Sequence, residues 1–172
     1  HPSTFLDHAI RHGDSLVGVW LKDYTTLFFG EGGAGGPAQQ VKDAIAKSIE
    51  RARQARQAIL DAGEDPPEAF LKAQMEALEK ATNRLKLLGD VLVHSFFTGR
   101  NDRERRTKRT DAWIQVQQWL SGASDGAGPK AMAAALRQLG PGIHPFHWEL
   151  EFPEVFLRDQ FGFDAVVGNP PF

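Results

Sequence analysis

A chain of 172 residues, 41% of them hydrophobic, is long enough to bury a core of its own, which excludes disorder as the starting assumption. Twenty basic against twenty-two acidic side chains leave a formal charge of -2. That balance excludes the uniformly basic character of a small nucleic-acid-binding module, so any DNA contact must be local.

The absence of cysteine removes disulfides, thiolate zinc sites and cysteine nucleophiles. No stretch approaches the roughly 18 apolar residues of a membrane span and no signal peptide opens the chain, so a cytoplasmic protein without membrane contact is expected. The first residue is His1, not methionine, and the last is Phe172 directly after a Pro-Pro pair. The chain is read as an excerpt of something larger.

Residues 1–29 mix short apolar stretches with polar interruptions, and strand pieces with turns are expected there. Five glycines in the seven residues Gly30 to Gly36 predict a flexible loop and a boundary. From Pro37 to Ala62, the positions Val41, Ile45, Ser48, Ala52, Ala55 and Ile59 recur in alternating steps of four and three, the seam of one helix. After the Asp65-Pro66-Pro67 break the pattern restarts at Leu71 and runs through Met75, Leu78, Thr82, Leu85 and Leu88 to Leu92. Two such helices joined by a short turn predict an antiparallel hairpin, with a third helix, Asp102 to Leu120, as its partner. There Trp113, Val116 and Leu120 share a face, and Trp113 and Trp119 read as core anchors rather than stacking platforms.

Ser121 to Pro129 reads as a loop and Lys130 to Leu139 as a short helix closed by Gly140 and Pro141. Beyond it, Phe146, Trp148, Leu150, Phe152, Val155 and Phe156 bring partial alternation, and Phe163, Ala165, Val166 and Val167 form a compact apolar run, read as a buried strand. Pro170 and Pro171 cannot donate to a sheet ladder, so they lie beyond the carboxyl end of that strand, the edge where open α/β sheets bind ligands.

A strand ending in Gly168-Asn169-Pro170-Pro171-Phe172, preceded by the Phe146 to Phe156 segment, resembles the large adenine-specific DNA methyltransferases of restriction-modification systems, of the type II G kind. The resemblance implies transfer of a methyl group from S-adenosylmethionine to the exocyclic amino group of adenine. It implies that Asn169, Pro170, Pro171 and Phe172 form the catalytic motif. An acceptor pair made by the Asn169 side-chain oxygen and the Pro170 carbonyl would take both amino hydrogens and free the nitrogen lone pair for in-line attack. The partner implied is double-stranded DNA with the adenine flipped out and stacked on Phe172. The resemblance leaves room for restriction or target-recognition domains in the same parent chain, and cleavage chemistry, if the parent has it, lies elsewhere, since the acids Glu64 and Asp65 stand in a proline-rich turn unsuited to a nuclease centre.

The same resemblance gives the His12-Gly13-Asp14-Ser15-Leu16 segment a place in the cofactor pocket, with Asp14 accepting from the adenine amino group of S-adenosylmethionine and Leu16 packing on its ring. Two other readings compete. An Asp-Ser turn between short strands needs no ligand. A Gly-Asp-Ser-Leu esterase with Ser15 as nucleophile needs an Asp-x-x-His pair near the carboxyl end, and no residues after 140 have that spacing. The glycine-rich cofactor turn of these enzymes is missing and is expected before His1, so the excerpt alone is not expected to be active.

Arg100, Arg103, Arg105, Arg106, Lys108 and Arg109 put six cations in ten residues. Arg103, Arg106 and Arg109 are weak candidates for phosphate contact, against the plainer reading of a solvated helix face. His144 and His147, with Glu149, Glu151 and Glu154 nearby, are read as no metal site, because Pro145 argues for extended chain between them.

The expected architecture is mainly α: a helical insertion (37–140) between two pieces of an α/β methyltransferase sheet (1–29 and 141–172), with the glycine loop at 30–36. The competing function is a non-catalytic helical module for DNA docking or protein interaction.

Overall fold

The structure is a computed structural model that describes residues 10–29, 36–63, 66–139, 142–156 and 160–168. It is built on helices: α1 (Leu21–Phe29), α2 (Gly36–Asp61), α3 (Glu68–Thr98), α4 (Asp102–Leu120), α5 (Ala127–Leu136) and two single turns, α6 (Trp148–Glu151) and α7 (Pro153–Phe156).

α3 is the axis on which α1, α2, α4, α5 and α6 pack, while α7 lies against α2 and α6. Its Leu85, Leu88, Val91 and Leu92 are buried against Val41 and Ile45 of α2, Leu21, Tyr24 and Phe28 of α1, Ala112 and Val116 of α4, and Leu150 of α6. Burying each large aliphatic side chain of this set contributes roughly 1.5–3 kcal/mol. At the other end of the α2–α3 pair, Ala52 and Ala55 meet Leu78 and Ala81 in a thin layer of small residues. The pairing of early α2 with late α3, and of late α2 with early α3, makes the two helices antiparallel. Hydroxyls inside α3 are satisfied by the preceding turn, Thr82 Oγ1 donating to Leu78 O at 3.0 Å and Ser95 Oγ to Val91 O at 2.9 Å.

The start of α4 is held by Asn101, whose side chain accepts from Glu104 N–H at 2.9 Å, while the Glu104 carboxylate reaches back to Arg100 N–H at 3.0 Å. This reciprocal arrangement satisfies amides that a helix start leaves orphaned. At the far end, Arg84 of α3 stacks 4.8 Å over the Trp119 ring and donates to Trp119 O.

The expectation of α/β sheet pieces around a helical insertion is overturned: no β-strand is present among the described residues, and the sole pairing there is an isolated parallel bridge between Asp14 and Pro145. Three physical reasons account for the difference. Residues 21–29 bury Leu21, Tyr24 and Phe28 on one face, a helical spacing that outweighs their apolar, strand-like composition. The chain turns sharply just after Asp14, with Val17 N–H donating to Asp14 O and Leu16 N–H to Asp14 Oδ1, so the bridge cannot grow into a ladder. Val166 and Val167, read as a buried strand, are 81% and 97% exposed, with no neighbouring strand among the described residues to take their backbone hydrogen bonds. Of the alternating aromatic residues between 146 and 156, Trp148 and Phe156 lie on the short turns α6 and α7 and Phe146 and Phe152 beside them, and their rings gather into one cluster.

The segments before α2 and after α5 are part of the same packed body as the long helices. No helix of the described residues is long and apolar enough to cross a membrane.

Candidate functional site

The Asp14 turn lies against the 144–149 segment, although the two are about 130 residues apart in sequence. Asp14 N–H donates to His144 O and Phe146 N–H to Val17 O, both at 2.7 Å. Trp148 Nε1 donates to Ser15 O at 3.0 Å, and Val19 N–H donates to His147 Nδ1 at 3.1 Å. Leu21 N–H, at the start of α1, donates to Glu149 Oε2 in a short hydrogen bond. Gly18 permits this approach: a Cβ there would lie 2.2 Å from Phe146 O.

His147 is almost fully buried and also reaches α3, its Nε2 lying 3.2 Å from Asp90 Oδ1. Glu151 completes the tie, pairing with Lys86 of α3 at 2.7 Å and with Arg11 at 3.4 Å. Burial raises the Glu149 carboxyl above its usual range, opposed first by the Leu21 N–H it accepts. The Tyr24 hydroxyl donates to Leu85 O at 3.0 Å, and burial, then Asp90 and Glu149, push its pKa well above 10.0.

Around this junction the side chains form an aromatic cluster. The Trp148 ring lies 4.8 Å from Phe146, 6.1 Å from Phe156 and 5.9 Å from Phe163, while Trp20 meets Phe156 at 5.6 Å. Most of these contacts are edge-on, the geometry that aromatic quadrupoles favour. A cavity of about 120 Å³ opens beside the Asp14 turn, lined by Ser15, Leu16, Gly18, Val19, Trp20, Phe146 and Trp148.

Asp14 and Leu16 are thus placed at one edge of a built junction. The Asp14 carboxylate is exposed, with one oxygen engaged by Leu16 N–H at 3.0 Å, and the Leu16 side chain is 94% exposed beside the cavity. Asn169, Pro170, Pro171 and Phe172 lie outside the described residues.

Of the cations, Arg103 and Arg106 point outward from α4 and Arg109 is half-buried at the edge of that face. None of the three has an acidic partner among the described residues, whereas Arg100 pairs with Glu104 and Arg105 with Asp102. Arg105 is a structural residue: its guanidinium sits 4.2 Å over the Phe96 ring, and its Nε donates to the Phe96 and Gly99 carbonyls that end α3. His144 and His147 both line a cavity of about 230 Å³, together with His12, Asp90 and Glu151. The His144 ring packs on His12 at 5.2 Å, and among the described residues no group of three His, Asp or Glu side chains is placed to hold a metal ion.

The model of the Eco57I restriction-modification methylase family matches residues 70–172. The chain belongs to that family. Neither the curated proteins nor the solved structures gave a match. The matched span runs from the first turn of α3 through α7 and takes in the 144–156 segment and the terminal Asn-Pro-Pro-Phe. The Asp14 turn lies outside that span yet is bound to it through Val19 and His147.

His147, Asp90, Glu149 and Gly89 carry the junction; the sequence singles out His147 and Glu149 only to weigh a metal site, and Asp90 and Gly89 not at all, because their partners are far away along the chain. Gly89 was the available signal: a glycine in mid-helix, unfavourable by about 1 kcal/mol relative to alanine, marks a place where something approaches closely.

Proposed function

We propose that the protein carrying this chain is a site-specific DNA methyltransferase of a restriction-modification or phage-defence system, acting on the exocyclic amino group of adenine. The match to the Eco57I restriction-modification methylases over 70–172, a span that includes Asn169 to Phe172, carries this reading.

The amino nitrogen of adenine is a poor nucleophile because its lone pair is delocalised into the ring. Asn169, through its side-chain oxygen, and Pro170, through its carbonyl, accept the two amino hydrogens and localise that pair, and Pro171 stiffens the turn. Phe172 stacks on the flipped base. S-adenosylmethionine, when bound, supplies the electrophilic sulfonium methyl group.

Two observations suit the Asp14 turn to one edge of that cofactor. Leu16 offers an apolar surface beside a small aromatic-lined cavity, and the Asp14 carboxylate has an oxygen beyond the one that accepts from Leu16 N–H. Asp14 would accept from the cofactor's adenine amino group and Leu16 would pack on its ring. Arg103 and Arg106, with Arg109 at the margin, form the DNA-backbone contact, since they are cations without acidic partners among the described residues on one helix face.

The deciding experiment is transfer of labelled methyl groups to DNA by the full-length protein and by its Asn169→Ala variant. Label on adenine in the first and its loss in the second are expected. Label on cytosine would correct the base. No label on DNA of varied sequence from folded, cofactor-loaded protein would leave the helical docking module as the better account.

A further inference from the structure

We infer that His147 is a positioning residue for the cofactor pocket: its ring is the clamp that sets the Asp14–Val19 turn against α3. The inference rests on the assignment of Asp14 and Leu16 to that pocket and adds what holds them in place.

A backbone N–H can only donate, so the 3.1 Å contact from Val19 N–H makes Nδ1 of His147 an acceptor. The proton of the ring is therefore on Nε2, which donates to Asp90 Oδ1 at 3.2 Å. The imidazole thus links a donor on the turn to an acceptor on the helix through one rigid, buried plane.

The seat is built to fit this ring. A Cβ at Gly89 would stand 2.4 Å from Cε1 and 2.6 Å from Nε2, so α3 can receive the ring only where it carries no side chain. The Tyr24 hydroxyl closes the same spot, since it would lie 2.6 Å from that Cβ. On the other side, Gly18 lets the turn come against the Phe146 carbonyl one residue before the ring. A buried side chain that uses both nitrogens and has glycines clearing its approach is placed more tightly than packing alone requires. What it fixes is the position of the turn bearing Asp14 and Leu16 relative to the longest helix.

The two edges of the imidazole can be removed one at a time. Asparagine places its amide near the position of Nδ1 and glutamine places its amide near that of Nε2, so His147→Asn keeps the Val19 contact and His147→Gln keeps the Asp90 contact. In the full-length protein, S-adenosylmethionine binding should weaken about five- to tenfold in His147→Gln, the worth of one hydrogen bond lost from the positioning chain, and be largely restored in His147→Asn. DNA affinity measured separately should stay constant in both.

Equal losses in the two variants, in step with their melting temperatures, would overturn the proposal in favour of a packing role. Unchanged cofactor binding in His147→Gln, beside a loss in Asp14→Ala, would overturn it alone. Unchanged binding in Asp14→Ala would remove the assignment beneath it and the proposal with it. Methyl transfer by the unsubstituted protein reports independently on the enzymatic reading.

Discussion

The missing side chain of Gly89 is what lets His147 reach α3, for a Cβ there would overlap the ring at 2.4 Å. Gly89→Ala therefore sets two effects against each other. Alanine should gain roughly 1 kcal/mol from helix propensity. Displacing a buried ring costs about 1–3 kcal/mol in overpacking. Two hydrogen bonds of about 1 kcal/mol each are lost besides. The net expectation is destabilisation by about 2–4 kcal/mol, read from the urea midpoint at constant m-value. A higher midpoint in the variant would show that helix propensity wins and that the ring relocates freely.

Leu88 is fully buried in the core that α3 builds with α1, α2, α4 and α6, whereas Leu60 is exposed near the end of α2. Leu88→Ala should lower stability by about 2–5 kcal/mol, through lost transfer energy and the cavity left behind. Leu60→Ala should change it by less than about 0.5 kcal/mol. Equal effects in chemical denaturation would mean that the core is misplaced.

If Arg103 and Arg106 touch phosphates, the Arg103→Ala, Arg106→Ala double variant should bind DNA about tenfold or more weakly near physiological salt, and the slope of log K against log salt should shrink by about two. Arg105→Ala is the internal contrast. It removes the ring stack on Phe96 and two bonds to the end of α3, so it should cost stability while leaving the salt slope unchanged. Salt titrations of all three proteins on one duplex distinguish these roles.

A buried tyrosine and a half-buried histidine give opposite pH dependences. Tyr24 is raised by burial, then by Asp90 and Glu149, so its contribution is complete below the ordinary tyrosine value of 10.0 and is lost as pH rises beyond it, because the unfolded chain ionises first. His94 is lowered by burial, then by Lys108, so its contribution is present above 6.5 and lost as pH falls below that value. Tyr24→Phe should remove the alkaline limb of a stability profile at the expense of the bond to Leu85 O. His94→Gln should flatten part of the acid limb. Profiles that keep both limbs unchanged would rule out these two groups as the source.

The helices were legible because their seams repeat at helical period: Val41, Ile45, Ala52, Ala55 and Ile59 in α2, and Leu78, Thr82, Leu85, Leu88 and Leu92 in α3, are all buried. The bounds of α4 fall where its sequence places them, Asp102 to Leu120. The sheet pieces were misjudged at segments where short apolar runs fit either period. Leu21, Tyr24 and Phe28 lie on a helix, and Phe146, Trp148 and Phe152 meet each other rather than a neighbouring strand. The candidate turn at Asp14 was visible as a motif, but its anchor was not. No local pattern links Val19 to His147, because the pairing is decided by the shape of the α3 surface at Gly89.

The bond from Val19 to His147 joins residues separated by 128 positions, whereas α2 ends at Asp61 and α3 begins at Glu68, a few residues on. Loop-closure entropy therefore orders assembly in time: the long-helix pair can form early, and the turn can dock only after the chain has come back around it. A contact made last is also the easiest to open locally. Amide exchange at Asp14, Val19 and Phe146 should run ahead of exchange at Leu85 and Leu88, because the junction can open while the long helices stay paired.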